Sequence, residues 1–297
     1  PQMSLIERAM GKVHGAPSDH GRAVAEQPAN VVQSAPPEVT AEAKTVPEIQ
    51  TPPTTVEISL QRLARQGFIA PGTAANRTLS EFRMIKRPLL FNVSTRRSSP
   101  LANARRIMVT SALPGEGKTY CAINLALSIA DERDHSVLLV DADVARPSVP
   151  ETLGLSPRPG LMDALDDPAV DVSSLVLPTS IDRLSLLMAG TPHDKATEML
   201  ASSAMSELMK QLTSRFPDRI IVFDSPPLLA TTEASVLASH MGQIVLVVES
   251  GRTDRGAVTA ALSALENAPG EISTLMNKAP ARTRNEFLPY HGYGYGY

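Results

Sequence analysis

The sequence feature that most restricts the fold is a glycine-containing turn that lies between an apolar run and a helical pattern. The apolar run spans 107–111, and the turn reads Ala112-Leu113-Pro114-Gly115-Glu116-Gly117-Lys118-Thr119. Its two glycines allow consecutive backbone N–H groups to turn towards a phosphate, and a helix that begins there adds its positive dipole end. The segment therefore predicts a strand, a phosphate-binding loop (P-loop) and a helix, although the loop opens with alanine where glycine is more usual.

The polar residues of this loop predict nucleotide binding. Lys118 would reach the β- and γ-phosphates and the Thr119 hydroxyl would bind Mg²⁺, so the predicted ligands are ATP and Mg²⁺. The motif also has its expected context, because a strand pattern precedes it and a helical pattern follows it. The residues of this segment that are predicted to contact the nucleotide are Gly115, Glu116, Gly117, Lys118, Thr119 and Tyr120.

Apolar runs alternate with helical patterns through the rest of the chain. The predicted strands are 107–111, 137–141, 184–189, 219–224, 243–249 and 272–276, and the predicted helices are 119–132, 202–215, 232–240 and 255–267. Continuous apolar runs are typical of strands that are buried on both faces. The alternation predicts an α/β fold, with a mostly parallel sheet and helices on both of its faces. Ligands of such sheets bind outside the carboxyl ends of the strands, so functional residues should follow the strands directly.

Aspartates stand at two of these predicted strand ends. The strand 137–141 ends at Asp141, with Asp143 two positions later, and the strand 219–224 ends at Asp224. One carboxylate of the first pair can support Mg²⁺ while the other accepts a proton from an attacking hydroxyl, and the sequence leaves the two roles unassigned. Asp224 has the position of a Walker B aspartate. The predicted catalytic residues are Lys118, Asp141 and Asp143, and the predicted metal site is Thr119, Asp141 and Asp224.

The end of the chain is unusually rich in tyrosine. Four of the five tyrosines fall within the last eight residues, where they alternate with glycine. Alternating glycine disfavours a helix or a stable strand, so these side chains are predicted to be mobile and exposed. A low-complexity, adhesive tail would have the same composition. Beside a site for phosphoryl transfer, the simpler interpretation is a cluster of phosphate acceptors formed by Tyr290, Tyr293, Tyr295 and Tyr297.

Composition divides the chain and excludes several classes of protein. Seven prolines lie between residues 15 and 56, and no aromatic residue precedes Phe68, so this stretch is predicted to be a disordered linker. A short helix is predicted before it, at residues 4–13. The predicted domains are 1–75 (helix and linker), 76–280 (P-loop domain) and 281–297 (flexible tail). A single cysteine excludes an internal disulfide. The net charge of -3 provides no overall positive potential that would attract nucleic acid. The absence of long apolar runs predicts a soluble cytoplasmic chain.

Taken together, residues 80–297 resemble the bacterial tyrosine autokinases of exopolysaccharide synthesis, which are the cytoplasmic P-loop kinases of polysaccharide co-polymerase systems. The likeness is carried by the P-loop, by Asp141 and Asp143 in a motif like that family's Walker A′, by Asp224, and by the tyrosine tail. The segment 81–88 and the opening residues 4–7 are most similar to the subgroup that is associated with exosortase systems.

The resemblance implies an ATP-dependent protein-tyrosine kinase that phosphorylates its own tail in trans and regulates exopolysaccharide synthesis and export. It implies that Asn277 contacts adenine. The implied partners are a transmembrane polysaccharide co-polymerase as activator, further copies of the chain in a ring, and a protein-tyrosine phosphatase, with no role for nucleic acid. The kinase would then be peripheral to the inner membrane, held there through its partner.

Some residues depart from the family pattern, and two other functions use the same fold. Ala145 stands where Walker A′ often has arginine, and Ser80 and Lys86 occupy the first and last positions of the family's Glu-x-x-Arg-x-x-Arg helix. A partitioning or division-site ATPase usually has Lys-Gly-Gly-x-Gly-Lys-Thr, but Leu113 and Pro114 stand at the early lysine and first glycine positions here. A non-catalytic nucleotide-binding scaffold is the third possibility, since fold alone does not decide function.

Overall fold

A computed structural model describes residues 54–72, 77–94 and 101–280, which contain one seven-stranded sheet. The strands are β1 (Arg106–Ser111), β2 (Ser136–Asp141), β3 (Leu177–Pro178), β4 (Leu184–Leu187), β5 (Arg219–Asp224), β6 (Gln243–Glu249) and β7 (Glu271–Asn277). The helices are α1 (Leu60–Arg65), α2 (Arg77–Val93), α3 (Lys118–Ala130), α4 (Val149–Leu153), α5 (Leu161–Asp166), α6 (Val172–Leu175), α7 (Ala196–Leu200), α8 (Ser203–Arg215), α9 (Glu233–Ala238) and α10 (Arg255–Ala264).

The strand order places three functional strand ends side by side. The order is β3-β4-β2-β5-β1-β6-β7, and only the edge strand β3 pairs in the antiparallel direction. Strands β2 and β5 are paired so that Asp141 lies opposite Asp224, and β1 is the next neighbour of β5. The carboxyl ends of β2, β5 and β1 therefore meet at the middle of one sheet edge, where ligands of parallel sheets bind.

Alternate residues of the central strands fill two separate hydrophobic cores. In β2, Val137 and Leu139 pack into one core with α3, whereas Leu138 and Val140 pack into the other with α8. All four are at most 1% exposed. Burial on both faces is the physical reason for the continuous apolar runs, and it confirms the predicted α/β class. Each of the six predicted strands is present within two residues of its predicted bounds; β3, with two residues, is too short to produce a pattern.

Residues 54–72 pack against this sheet, although the sequence-based boundary began the P-loop domain only at residue 76. The backbone of Val56 pairs with β3 and its neighbour, accepting from Ser180 N at 2.9 Å and donating to Pro178 O at 2.8 Å. Further along, the Ile69 N–H donates to Asn124 Oδ1 at 2.8 Å. The packed unit therefore starts by residue 54 within the described part of the chain. Composition failed to place this start because a six-residue helix and scattered apolar residues have no period.

Helix α2 is fastened to the end of α3 by a buried lysine. Lys86 is 3% exposed, and its Nζ lies 2.6 Å from Glu132 Oε1 and donates to the Ser128 carbonyl. A cation at a helix carboxyl end also interacts favourably with the helix dipole. Lys86 stands at the last basic position of the family's helix pattern, yet its charge is turned into its own subunit and is not presented to a neighbour.

Two sets of sequence predictions lie outside the described residues. They are the short helix at 4–13 with the linker up to residue 53, and the tail that carries the four predicted acceptor tyrosines. Among the helices that the structure describes, none combines the length and apolar character needed to cross a bilayer.

Candidate active site at the carboxyl ends of the central strands

The P-loop follows β1 directly and depends on its two glycines. Gly115 and Gly117 have φ values of 85° and 96°, in the left-handed region that other residues rarely adopt. A Cβ atom at Gly117 would lie only 2.2 Å from Asn277 Nδ2, so any side chain here would displace the Asn277 amide from the loop. Helix α3 begins at Lys118, which places the phosphate-binding N–H groups at a helix N-terminus as the sequence predicted.

The side chain of Glu116 fixes the loop from within. It is 1% exposed, accepts from the Leu113 N–H at 2.7 Å, and accepts from the Thr253 hydroxyl. Glu116 was predicted to contact the nucleotide. Because its carboxylate accepts hydrogen bonds from Leu113 and Thr253, only its backbone is available for that contact. Thr253 was not singled out from the sequence, because no motif links two residues that are 137 positions apart.

Lys118 and Asp143 form an ion pair on the cleft wall. Lys118 Nζ donates to Asp143 Oδ2 at 2.7 Å and lies 3.8 Å from Asp224 Oδ1. Burial lowers the pKa of Lys118, but the negative charges of Asp224 and Asp143 outweigh burial and hold the pKa above its ordinary value. Lys118 is therefore protonated at neutral pH, which is the state that binds phosphate.

Asp141 differs from Asp143 in what its carboxylate contacts. Its two oxygens accept from backbone N–H groups, Oδ2 from Val149 at 3.1 Å and Oδ1 from Asp143 at 3.3 Å. Burial, and then the charge of Asp224, raise the pKa of Asp141 to about 7. Asp141 thus organises the turn that carries Asp143, whereas Asp143 lines the cleft next to Lys118.

Thr119 and Asp224 provide oxygen atoms that fit a magnesium ion. Thr119 Oγ1 donates to Asp224 Oδ2 at 2.7 Å, and the other carboxylate oxygen, Oδ1, is buried without a hydrogen bond to any described residue. Burial raises the pKa of Asp224 to about 6, although the charge of Lys118 and the hydrogen bond from Thr119 lower it. A buried carboxylate with one oxygen lacking a hydrogen bond is stabilised by a cation, and Mg²⁺ prefers oxygen ligands. The donor set therefore fits Mg²⁺.

Lys118, Thr119 and Asp143 line a cleft of about 570 Å³, and the buried Asp224 lies behind Thr119. Ser148 also lines it, and its hydroxyl lies 2.9 Å from Thr119 Oγ1. The sequence analysis did not identify Ser148, because it belongs to no motif and only the path of the turn after β2 brings it close to the P-loop. The lining residues are Pro114, Gly115, Gly117, Lys118, Thr119, Asp143, Ala145, Arg146, Ser148, Pro227, Ala230 and Thr231.

Two residues that were predicted to bind the nucleotide make other contacts with their side chains. The Tyr120 hydroxyl donates to the Gly67 carbonyl at 2.9 Å, and its ring packs 5.0 Å from that of Phe68. The Tyr120 side chain therefore holds the segment 54–72, and it is not among the groups that line the cleft. Asn277 ends β7 and donates from Nδ2 to the Glu116 carbonyl at 2.8 Å, so it lies against the P-loop while its contact with adenine stays a prediction.

Comparisons with known proteins identify the family of this chain. The ParA family, described as the NUBPL iron-transfer P-loop NTPase, matches residues 103–263. The tyrosine-protein kinase YwqD of Bacillus subtilis (strain 168) is 31% identical over 187 residues, which cover 63% of this chain and 77% of YwqD. The chain belongs to the bacterial tyrosine-protein kinases, within the ParA family of P-loop NTPases. The resemblance inferred from the motifs is thereby confirmed, and with it the class of enzyme.

Two further similarities concern this kinase's relatives. The succinoglycan biosynthesis transport protein ExoP of Rhizobium meliloti (strain 1021) is 31% identical over 154 residues, which are 51% of the kinase but only 19% of ExoP. The crystal structure of the VpsO kinase domain superposes with a TM-score of 0.57 at 28% identity, covering 68% of the kinase and 96% of that domain. The kinase thus spans nearly all of one solved kinase domain and about a fifth of ExoP.

Proposed function

We propose that this kinase transfers the γ-phosphate of ATP to the tail tyrosines of a neighbouring copy of itself, and that this transfer regulates exopolysaccharide synthesis and export. The observation that carries the proposal is the pairing of Lys118 with Asp143 at 2.7 Å on the wall of the P-loop cleft. The ammonium group of Lys118 can bind a phosphate, and the carboxylate of Asp143 can accept the proton of a hydroxyl group. A chain whose tail carries four tyrosines supplies the hydroxyl.

The residues divide the work of binding. The N–H groups of the P-loop and Lys118 would bind the phosphates, so Lys118 exchanges its contact with Asp143 for phosphate oxygens. Thr119 and Asp224 would hold Mg²⁺. Bound Mg²⁺ would neutralise part of the charge that spreads over the phosphate oxygens during transfer. Asn277 would contact adenine at the outer end of the loop, where its side chain lies beside Gly117.

Asp143 is the group that would accept the proton. When Lys118 moves to phosphate, the Asp143 carboxylate is free to accept the hydrogen of a tyrosine hydroxyl. The tyrosine oxygen then forms a bond to the γ-phosphorus while the bond between that phosphorus and the bridging oxygen breaks, and ADP leaves. Asp141 holds the turn in place through its bonds to Val149 and Asp143, so we assign the role of base to Asp143 and a supporting role to Asp141.

We expect Asp143→Asn to slow phosphoryl transfer far more than it weakens ATP binding. The amide keeps the shape of the side chain but cannot accept the proton, and a general base typically contributes about 10²–10⁴-fold to the rate. Single-turnover phosphorylation and ATP binding by calorimetry measure the two effects separately. Asp182→Asn is the matched control, because that side chain is 87% exposed and lies outside the cleft. A wild-type transfer rate in Asp143→Asn would contradict the assignment of the base.

Transfer between copies has a direct test. A flexible chain of the length that follows Asn277, 20 residues, has a root-mean-square span of about 25 Å, which reaches a neighbouring subunit. We expect a tail-deleted kinase to phosphorylate a Lys118→Met kinase that keeps its tyrosines. The control replaces the four tail tyrosines of the second protein by phenylalanine and should remain unlabelled. No label on the Lys118→Met protein, after the two are shown to assemble, would exclude transfer in trans.

We further infer a location and partners that suit this role. The kinase would act on the cytoplasmic side, held at the inner membrane by a transmembrane polysaccharide co-polymerase that activates it, with no part for nucleic acid. Support comes from the similarity to ExoP, a succinoglycan biosynthesis transport protein. Each phosphate on a tail adds about −1.5 to −2 charges, so phosphorylated tails in a ring of copies would repel one another. A protein-tyrosine phosphatase would then restore the assembled state.

A further inference from the structure

The Ser148 hydroxyl is aimed at the nucleotide-binding machinery and away from the helix that it precedes. Ser148 is the N-cap residue of α4, a position where a serine side chain normally accepts a hydrogen bond from the first turn of the helix. No such bond is present. The second residue of α4 is Pro150, which has no N–H to donate to a cap, and the Val149 N–H donates to Asp141 Oδ2 at 3.1 Å. The Ser148 hydroxyl therefore accepts no hydrogen bond from the first turn of α4. It lies in the cleft, 2.9 Å from Thr119 Oγ1.

The direction of this hydrogen bond follows from counting hydrogens. The Thr119 hydroxyl has one hydrogen, which it donates to Asp224 Oδ2 at 2.7 Å, because an ionised carboxylate only accepts. Ser148 must therefore donate to Thr119 Oγ1. This bond uses one of the two lone pairs of Thr119, and the second accepts a longer bond from Lys118 Nζ at 3.4 Å. When Lys118 turns to the phosphates of a nucleotide, this second lone pair would become available to a cation.

The backbone at Ser148 is held in place on the α4 side. The Ser148 carbonyl accepts from the Thr152 N–H at 3.1 Å and from the Thr152 hydroxyl at 2.7 Å. The following residue, Val149, is 1% exposed in the core. A donor on such a fixed backbone can fix the rotation of the Thr119 hydroxyl, as groups behind a metal ligand commonly do.

We propose that Ser148 is a positioning residue for the magnesium–nucleotide complex, and that it acts by orienting Thr119. The Thr119 hydroxyl accepts from Ser148 and donates to Asp224, and these two bonds fix the direction of its other lone pair, which faces Lys118 Nζ until Lys118 turns to phosphate. The proposal rests on the proposed function in one respect, namely that Thr119 is a ligand of Mg²⁺. It does not depend on which tyrosines are phosphorylated or on whether transfer occurs between copies.

The test measures how ADP binding depends on magnesium. ADP affinity is determined by calorimetry in EDTA and at increasing MgCl₂ for wild type, Ser148→Ala, Ser148→Thr and Thr152→Ala. Loss of a group that orients a metal ligand typically lowers metal affinity by 10–100-fold. We expect Ser148→Ala to need about 10-fold more Mg²⁺ for the same gain in ADP affinity, with its affinity in EDTA unchanged. Ser148→Thr restores the hydroxyl and should remain close to wild type.

Thr152→Ala is the matched control, because it loosens the same turn of α4 without removing an atom from the cleft. A wild-type Mg²⁺ requirement in Ser148→Ala would overturn the proposal, and so would an equal shift in Thr152→Ala. If Ser148→Ala does not fold by circular dichroism, Ser148→Cys, which fills the space with a weak donor, should show the same shift. Failure of the proposed function is seen separately, as an absence of tyrosine phosphorylation in wild type with its Mg²⁺-dependent ADP binding intact.

Discussion

Replacing Lys118 by methionine should abolish tyrosine phosphorylation while the protein remains folded. Lys118 is a positive group on the cleft wall, and its Nζ lies within 3.8 Å of carboxylate oxygens of both Asp143 and Asp224. Removing one preorganised group that stabilises transition-state charge typically costs about 10²–10³-fold, and loss of a full charge at the phosphates should cost at least that. Incubation with Mg-ATP followed by mapping of phosphotyrosine by mass spectrometry measures the loss.

The control for this variant is Lys210→Met. The Lys210 side chain is 71% exposed and forms an ion pair with Glu207 on the protein surface. It should retain full phosphorylation. Because Lys118 also offsets the charges of Asp143 and Asp224, thermal unfolding must be recorded to show that Lys118→Met is folded. Undiminished phosphate incorporation by a folded Lys118→Met protein would contradict the assignment of the P-loop.

A chain that begins at residue 76 should lose most of its stability, whereas a chain that begins at residue 54 should keep it. The shorter chain lacks five buried side chains of the core that packs against α3, namely Val56, Ile58, Leu63, Phe68 and Ile69. Burying one such side chain fully contributes about 1.5–3 kcal/mol, so their sum is comparable with the total stability of a domain. Thermal unfolding by circular dichroism compares the two chains. Equal melting temperatures would show that residues 54–72 contribute nothing to the packed unit.

A point substitution tests the same segment without shortening the chain. Leu63→Ala should lower the free energy of unfolding by about 2–5 kcal/mol, because Leu63 is 1% exposed and its removal leaves a cavity. Leu60→Ala is the matched control on α1, since Leu60 is 40% exposed, and it should change the stability by less than about 1 kcal/mol. Equal effects of the two substitutions would contradict the packing of α1 described above.

The elements that the sequence predicted well are those that local chemistry specifies. The P-loop follows from glycine at two positions that require positive φ, next to a lysine and a threonine at the start of a helix. Five of the six predicted strands, β1, β2, β4, β5 and β6, follow from apolar runs that burial on both faces explains, whereas β7 lies at the sheet edge and is largely exposed. Asp141 and Asp224 were identified from their place at strand ends, and the parallel pairing of β2 with β5 brings them opposite each other.

Sequence patterns predicted that Thr119 and Asp224 share a site, but they did not predict the other side-chain contacts within it. Glu116 contacts Thr253, 137 positions away, and Asn277 contacts the Glu116 carbonyl, 161 positions away. Nothing local distinguishes a glutamate that fixes a loop from one that faces a ligand. The roles of Asp141 and Asp143 were likewise equivalent in the sequence, and only their hydrogen-bond partners separated them.

Residues 54–72 and Ser148 show the physical reason for this limit. The sequence by itself determined the class of fold, the phosphate-binding loop and the enzyme family, because glycine conformation, apolar periodicity and charged residues at strand ends act over a few neighbouring positions. The tertiary structure decided that residues 54–72 complete the core and that Ser148 reaches Thr119. Those contacts depend on the register of strands and on the packing of helices, which bring together residues that no local period connects.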